Sequence, residues 1–574
     1  MSVRSPTRSV DGGGSSRTGR VRIDRLTLQV LVVCVLGAIL RIGIAERQTL
    51  WVDEVFSLGM ATGHSVDHPA DSADAMRGDF AEPVRPVPAA AFQRYLQHER
   101  QPAGPGRVIR TVLRSDTSPP LYYLLLNGWT RLAGTGDVAL RMFSVLLSIA
   151  CIPVAVSLAR RLGGRHAALP AAVLFAFGPQ VVYYGTEIRM YALLIFEVLM
   201  VTWLTLRLRR RGASLVRLLQ WIAVSAAGLL THYFFAFAWG ALCLWLLLHP
   251  HRARRIVVLA AGAVTGLVVL PWYALVPSTI RAWRVTGGWL KERPEGFEAL
   301  AAQVKLLWSY VAATGVWGAP ALRTGRLIFL LLCLVALLGL WRGRRRLANP
   351  GWQVLWLSLA AVMIGLALFD GWQGTFTRHH TRYALPGITS AYLLAALLFA
   401  QLPTTVRMIS LVGLVALWAP GLQRMYAMRE RNDQPFRQIA RVVDARRGPH
   451  DLVLIASSPT GVLGVARHLD PAAIVSSWVP ALRKRRVPVD VEAMIAGRHR
   501  VFYVQIARLG GSRPHAAVER YLREHARLAA ETELGSARVL EFVTGRIVSP
   551  QTSVAPSNLR PVQPLRAPTT NGAP

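Results

Sequence analysis

Apolar residues fall in long unbroken runs, with no two-residue alternation, through the first three quarters of the chain. TLQVLVVCVLGAILRIGI opens the first run (27–45), and ten more follow near 138–159, 166–184, 188–207, 214–231, 233–249, 255–276, 325–341, 352–370, 383–402 and 406–423. Each is close to the roughly 20 residues a helix needs to cross a bilayer. Two weaker runs remain, PPLYYLLLNGWTRLAG (119–134) and QVKLLWSYVAATGVWG (303–318). The arginine clusters RRLGGR (160–165), RLRRR (207–211), HRARR (251–255) and RGRRR (342–346) decide between crossing and interfacial roles for these two. If both weak runs stay interfacial, every cluster falls on the cytoplasmic side, where basic loops accumulate. The pattern predicts a mainly α, polytopic membrane bundle of about eleven spans, or about thirteen if both weak runs cross. The N-terminus is then inside and the C-terminus outside.

That topology places WVDE (51–54), SDTSPPLYY (115–123), YGTEIRMY (184–191), THYF (231–234) and TRHHTRY (377–383) on one face, the outer one. The loop 46–118 between the first two strong spans is long for a compact protein, and long loops tend to be functional.

Beyond about residue 430 the pattern changes. DLVLIASS (451–458), VFYVQIA (501–507) and ARVLEFV (537–543) read as strands, and PTGVLGVARHL (459–469) and AAVERYLREHARLAAE (516–531) as helices. This alternation predicts a small extracytoplasmic α/β domain over 430–547. It follows a membrane domain over 26–425. The segments 1–25, rich in Gly, Ser and Arg, and 548–574, rich in Pro, Thr and Asn, read as disordered. The first apolar run lacks a small-residue cleavage site and reads as an uncleaved anchor.

Composition agrees with a membrane protein: 52% of the 574 residues are hydrophobic and 17% charged, against about a quarter charged in soluble domains. The net charge of +35 would suggest nucleic acid in a soluble chain. Here the arginine clusters account for much of it as a topology signal, and nucleic acid is not expected as a partner. Cys34, Cys151, Cys243 and Cys333 are far apart inside apolar runs and read as packing residues, without metal-ligand or disulfide spacing. No GxxxxGK or GxGxxG follows a strand in the C-terminal domain, so nothing there points to nucleotide binding.

The candidate chemistry lies on the outer face. Asp53 and Glu54 follow the first span between Trp51 and Phe56. Neighbours on a helix do not share a face, so one acid can serve a cavity while the other holds structure. A partly desolvated aspartate suits a general base. In YGTEIRMY, Glu187, Arg189 and Tyr191 sit where one span ends and the next begins. An arginine at that depth can grip a phosphate while its stem stays in the apolar layer. Arg114 and Asp116 precede the Pro119–Pro120 pair, and His232, Arg382 and Tyr383 complete the outer rim. Taken singly, each of these is more often an anchoring residue or part of an interfacial turn. HSVDH (64–68) offers too few ligands for a metal site. Glu197 is the acid well inside a span, where function and a structural hydrogen bond are equal readings.

In order and placement, W-x-D-E-x-x-S, PPLYYLLL, E-x-R-M-Y, THYF and RY-x-L-P resemble the membrane glycosyltransferases of the GT-C superfamily. The nearest branch is glycosyltransferase family 39, which includes protein O-mannosyltransferases and lipid A aminoarabinose transferases. The likeness covers roughly 25–405 and leaves out the C-terminal domain. It implies a sugar carried on a polyprenyl phosphate and transferred on the outer face to an acceptor glycan, lipid or protein. It also implies Asp53 as acceptor base, Glu54 shaping the site, and Arg189 beside the lipid phosphate. Many relatives carry His or Lys immediately before the Pro pair, where this chain has Ser118. Arg114, Arg382 or His232 is then expected to supply that contact. No cofactor is expected, since Asp53 and Glu54 alone are not a complete metal-ligand set. The competing reading is a transporter or flippase of a lipid-linked glycan. It calls for polar residues at mid-membrane and internal repeats, whereas these motifs crowd one face. A third reading is an inactive relative acting as an assembly partner.

Overall fold

The computed structural model describes residues 24–545 except 67, 69, 117, 251, 253, 281–295, 313–321, 432 and 507–511. The expectations for the two tails fall largely outside the described residues, as does much of the loop 277–324.

Eight helices among the described residues are long and apolar enough to cross a membrane: Arg25–Arg47, Asp137–Gly163, Tyr191–Arg211, Arg255–Leu275, Thr324–Arg346, Pro350–Gln373, Thr381–Gln401 and Thr404–Ala427. A ninth expected span is broken. Arg165–Phe177 and Pro179–Thr186 meet at 51°. Pro179 lacks the N–H that would continue the ladder. A Cβ on Gly178 would lie 2.4 Å from the Tyr392 ring, so only glycine fits the bend. The carbonyls of Phe175 and Ala176, orphaned by the break, accept from the fully buried Arg41 guanidinium, each at 2.7 Å. A cation at a helix C-terminus also meets its dipole favourably.

The runs at 214–231 and 233–249 form helices Leu215–Leu229 and Phe235–Leu248, 15 and 14 residues long. Both are shorter than a full span, yet the hairpin reaches both sides. At one end the Leu230 carbonyl accepts from the Leu121 N–H (3.0 Å). At the other, the Arg209 Nε–H donates to the His249 carbonyl (3.0 Å) beside the basic clusters. The weak run at 119–134 forms Leu121–Ala133, 13 residues. At 1.5 Å per residue that is about 20 Å, too short to cross. The other weak run forms Phe297–Ala312, and its remainder lies outside the described residues.

A sheet near the C-terminus has six strands where the sequence pattern predicts three. They are β1 (Val87–Pro88), β2 (Leu452–Ala456), β3 (Ile474–Trp478), β4 (Arg500–Ile506), β5 (Arg527–Leu534) and β6 (Ala537–Val543), in the order β1-β3-β2-β4-β6-β5. β2 is parallel to both β3 and β4, and the other pairings are antiparallel. The helix expected over 516–531 stops at His525, and RLAAETEL continues as β5 against β6. Its residues alternate between exposed and half-buried, the period of a strand, and pairing overrides the helix preference of its alanines. β1 comes from the first outer loop. Next to it, the Glu82 carboxylate accepts from the Val479 N–H (3.0 Å) and lies 3.3 Å from Arg485. The Gln93 amide donates to the Ala466 and Leu469 carbonyls, both at 2.9 Å. The loop is thus stitched to the sheet, and sheet and loop together cover the ends of the membrane helices opposite the arginine clusters.

Candidate active site

Trp51 ends the first connection in extended backbone and caps the helix Val52–Ala61, whose first turn carries Asp53 and Glu54. Acids there meet the positive end of the helix dipole. Val55, Leu58, Met60 and Ala61 are buried and fix the helix rotation, which sends the two carboxylates in different directions. Asp53 keeps 27% of its side chain exposed and pairs with Arg382 at 3.3 Å. Glu54 is wholly buried.

Glu54 meets Arg141 in a two-pronged ion pair of 2.6 and 2.5 Å. It also accepts the Ile188 N–H at 2.9 Å and the N–H of Trp51 at 3.3 Å. Arg141 spends its remaining donors on the carbonyls of Gln48, Thr49 and Thr186 (3.2, 2.6 and 2.9 Å). This pair ties together the exit of the first span, the helix bearing Asp53 and the segment bearing Arg189. Arg141 is absent from the sequence reading. Its one visible signal is a cation just inside the outer end of an apolar run, where positive charge is unusual.

Arg189 donates to the Ser57 hydroxyl and to the Tyr123 hydroxyl, both at 3.2 Å, and lies 3.7 Å from Asp116. Asp116 accepts from the Tyr123 hydroxyl at 2.5 Å. Ser57 is one helical turn from Asp53, so Arg189, Asp116 and Tyr123 flank the Asp53–Arg382 pair. His232 and Tyr383 close the rim: their rings are 6.4 Å apart, and Arg382 stands 5.3 Å from the Tyr383 ring centre. Burial, then the charges of Arg189 and Arg382, push His232 down to about 3. Its Nδ1 accepts the Phe234 N–H at 3.2 Å. The imidazole is thereby held in its neutral form beside the two arginines. Tyr191 packs edge-on to Tyr184 at 4.9 Å.

Two expected members sit elsewhere. Arg114 turns into the outer loop, donating to the Ser72 carbonyl (2.6 Å) and hydroxyl (2.9 Å) and pairing with buried Asp79 at 3.5 Å. That carboxylate also takes both prongs of Arg110 at 2.9 Å, and no comparable acid holds Arg114 at the site. Glu187 is behind the Asp53 helix, paired with Arg431 at 2.7 Å. Arg431 lies over the Trp51 ring, 3.2 Å from its centre, and also meets the Tyr183 hydroxyl. Burial raises the Glu187 carboxyl to about 7 against the pull of Arg431, with Glu54 and Asp53 adding to the rise. Arg431 comes from the link between the last span and the sheet, and no sequence signal marks it. Glu197 accepts the Thr231 hydroxyl at 2.9 Å, which favours the structural reading of that acid. The described residues hold no group of three or more His, Cys, Asp or Glu able to ligate a metal. His64 of HSVDH bonds to Thr62 (3.1 Å) and Glu99 (3.4 Å).

An acid beside two arginines thus lies at the ends of membrane helices under a mixed αβ cover, where a carboxylate that can take a proton faces cations that can hold an anion. Residues 117–275 match the family described as dolichyl-phosphate-mannose-protein mannosyltransferase. The fold is that of ArnT from Cupriavidus metallidurans. In the apo state the TM-score is 0.55 at 13% identity, covering 91% of this chain and 98% of that one. With undecaprenyl phosphate bound to ArnT, the TM-score is 0.52 at the same identity and coverage. The Archaeoglobus fulgidus oligosaccharyltransferase is more distant, with a TM-score of 0.45 at 13% identity over 77% of this chain and 64% of that one. No curated protein sequence matches. The family match over 117–275 and the shared ArnT fold point the same way as the motifs.

Proposed function

We propose that this protein moves a sugar from a polyprenyl-phosphate carrier to an acceptor hydroxyl on the outer face of the plasma membrane, with inversion at the anomeric carbon. The observation that carries the reading is the partly exposed Asp53–Arg382 pair, with Arg189 bonded to Ser57 one helical turn along from Asp53. The acceptor oxygen attacks the anomeric carbon and its proton passes to Asp53. The bond from that carbon to the phosphate oxygen breaks, and the polyprenyl phosphate leaves with its new charge facing Arg189 and Arg382. Such preorganised cations stabilise charge as it develops. Donor phosphate also competes with Asp53 for Arg382, which frees the carboxylate when substrate arrives. Glu54, with Arg141 filling it, acts as a positioning residue. ArnT is recorded with undecaprenyl phosphate bound, which supports a lipid-phosphate donor. Nucleotide sugars are cytoplasmic, so an outward site needs a sugar carried by lipid. The acid-free arginine loops argue for an inside N-terminus and an extracytoplasmic sheet.

The test is purified protein in lipid with a panel of polyprenyl-phosphate sugars and an envelope acceptor extract, following release of free polyprenyl phosphate. One donor is expected to turn over, with Asp53→Asn slower by about 10²–10⁴-fold and unchanged in thermal stability. If a labelled lipid donor is instead flipped across the membrane, and Asp53→Asn flips it equally well, a transporter replaces this reading.

A further inference from the structure

The two faces of the molecule treat arginine in opposite ways. On the outer side Arg107, Arg110, Arg141, Arg189, Arg378, Arg382 and Arg431 each pair with an acid. On the inner side there is almost no acid to pair with. No Asp or Glu occurs between Asp137 and Glu187, between Glu197 and Glu292, between Glu298 and Asp370, or between Asp370 and Glu430. Every inner connection of the described spans lies in those stretches. Asp24 is the inner acid among the described residues, and the arginines it feels are Arg160 and Arg165.

Within this surface one place has built geometry. Trp203, two turns from the inner end of Tyr191–Arg211, carries the Arg161 guanidinium 4.8 Å from its ring centre and that of Arg207 at 5.2 Å. Arg210 reaches across to the Arg161 carbonyl at 3.3 Å, joining the ends of the two helices. The Arg207 Nε is buried without a hydrogen-bond partner, and neither Arg161 nor Arg207 makes an ion pair among the described residues. A topology signal requires only positive charge in the loop. It does not require two guanidinium planes against one indole, which holds like charges together at a cost that a bound anion would relieve. An indole at this depth marks the headgroup layer, and arginine forks match phosphate oxygens.

We propose that Arg161, Arg207 and Trp203 form a binding site for the phosphodiester headgroup of an anionic phospholipid in the inner leaflet. The lipid supplies the counter-charge that the chain lacks on this side, and the stacked guanidiniums give a fixed seat where the surrounding arginines give only a diffuse field. Basic pockets between membrane helices are suited to such headgroups. The site is independent of the sugar-transfer reading, since it lies at the opposite membrane surface.

Native mass spectrometry of the full-length protein, washed in detergent and titrated with phosphatidylglycerol or phosphatidylethanolamine, tests it. The unaltered chain is expected to retain one phosphatidylglycerol with at least tenfold preference over phosphatidylethanolamine. Arg161→Gln/Arg207→Gln should abolish the preference, while Arg344→Gln/Arg345→Gln removes the same charge from the same face and should keep it. Arg161→Lys/Arg207→Lys retains charge and topology and should still lose at least threefold. Equal losses in both glutamine variants, or lysine binding equal to the unaltered chain, would mean diffuse attraction and overturn the site. Displacement of the lipid by millimolar glycerol phosphate would reassign it to a soluble phosphate ester.

Discussion

Replacing Glu54 with alanine separates a positioning acid from a catalytic one. In the folded protein its carboxylate is wholly buried against Arg141, itself 2% exposed, and also receives the Ile188 and Trp51 N–H groups. Alanine leaves the guanidinium with the carbonyls of Gln48, Thr49 and Thr186 but no counter-charge, and orphans the Ile188 N–H. Removing one partner of a buried pair costs about 3–5 kcal/mol. The double replacement Glu54→Leu/Arg141→Met leaves no unpaired buried charge, although the Ile188 and Trp51 N–H groups and the carbonyls of Gln48, Thr49 and Thr186 lose their partners. It should therefore cost less than Glu54→Leu and Arg141→Met added together, by at least about 2 kcal/mol of coupling. The assay is reversible denaturation of the purified protein in mild detergent for all four members of the cycle, with donor turnover measured on the same samples. Activity should fall in step with stability, since the pair orients both the Asp53 helix and the Arg189 segment. If Glu54→Ala kept full stability yet lost turnover, Glu54 would be acting on substrate, and the positioning argument would fail.

Other outcomes follow from the same geometry. Arg189→Lys keeps the charge but loses the planar fork, and should raise the donor KM by about tenfold, the equivalent of about 1.4 kcal/mol. Arg114→Gln should leave that KM within about twofold, because its bonds go to Ser72 and Asp79 and phosphate contacts bear on KM only where they are made. A matching KM rise in Arg114→Gln would put that arginine back at the site. Glu187 gives a pH signature. Its folded carboxyl lies near 7, above its value in the unfolded chain, so between about 4.5 and 7 the unfolded state sheds the proton that the folded state keeps. Stability contributed by this group is therefore full at low pH and declines by up to about 3 kcal/mol as pH rises through that window. Glu187→Gln should flatten the decline in denaturation midpoints measured from pH 4.5 to 7.5, and an unchanged slope would assign the effect elsewhere.

Much of this protein is legible without coordinates, and the boundary between what is and what is not has a physical cause. Burial in lipid requires each spanning segment to be apolar along its own length and to satisfy its own backbone. Span positions, arginine sidedness and the gathering of the polar motifs on one face are therefore local properties, written in contiguous residues. The different directions of Asp53 and Glu54 are half legible for the same reason: helical geometry says they must part, but not which one turns inward. That choice came from Arg141, 87 positions away along the chain. Arg431 over Trp51, Arg114 turned to Asp79, and β1 joining a strand near residue 475 are likewise contacts between distant segments. Polar partners in these clusters are selected by distance and burial in the folded chain, and an arginine destined for a carboxylate looks, in sequence, like any other. The bend at Gly178 shows both at once. The run 166–184 reads in sequence as one span although Gly178 and Pro179 carry the means of a break, and Arg41 holding the freed carbonyls is decided only where the first span packs against the broken one.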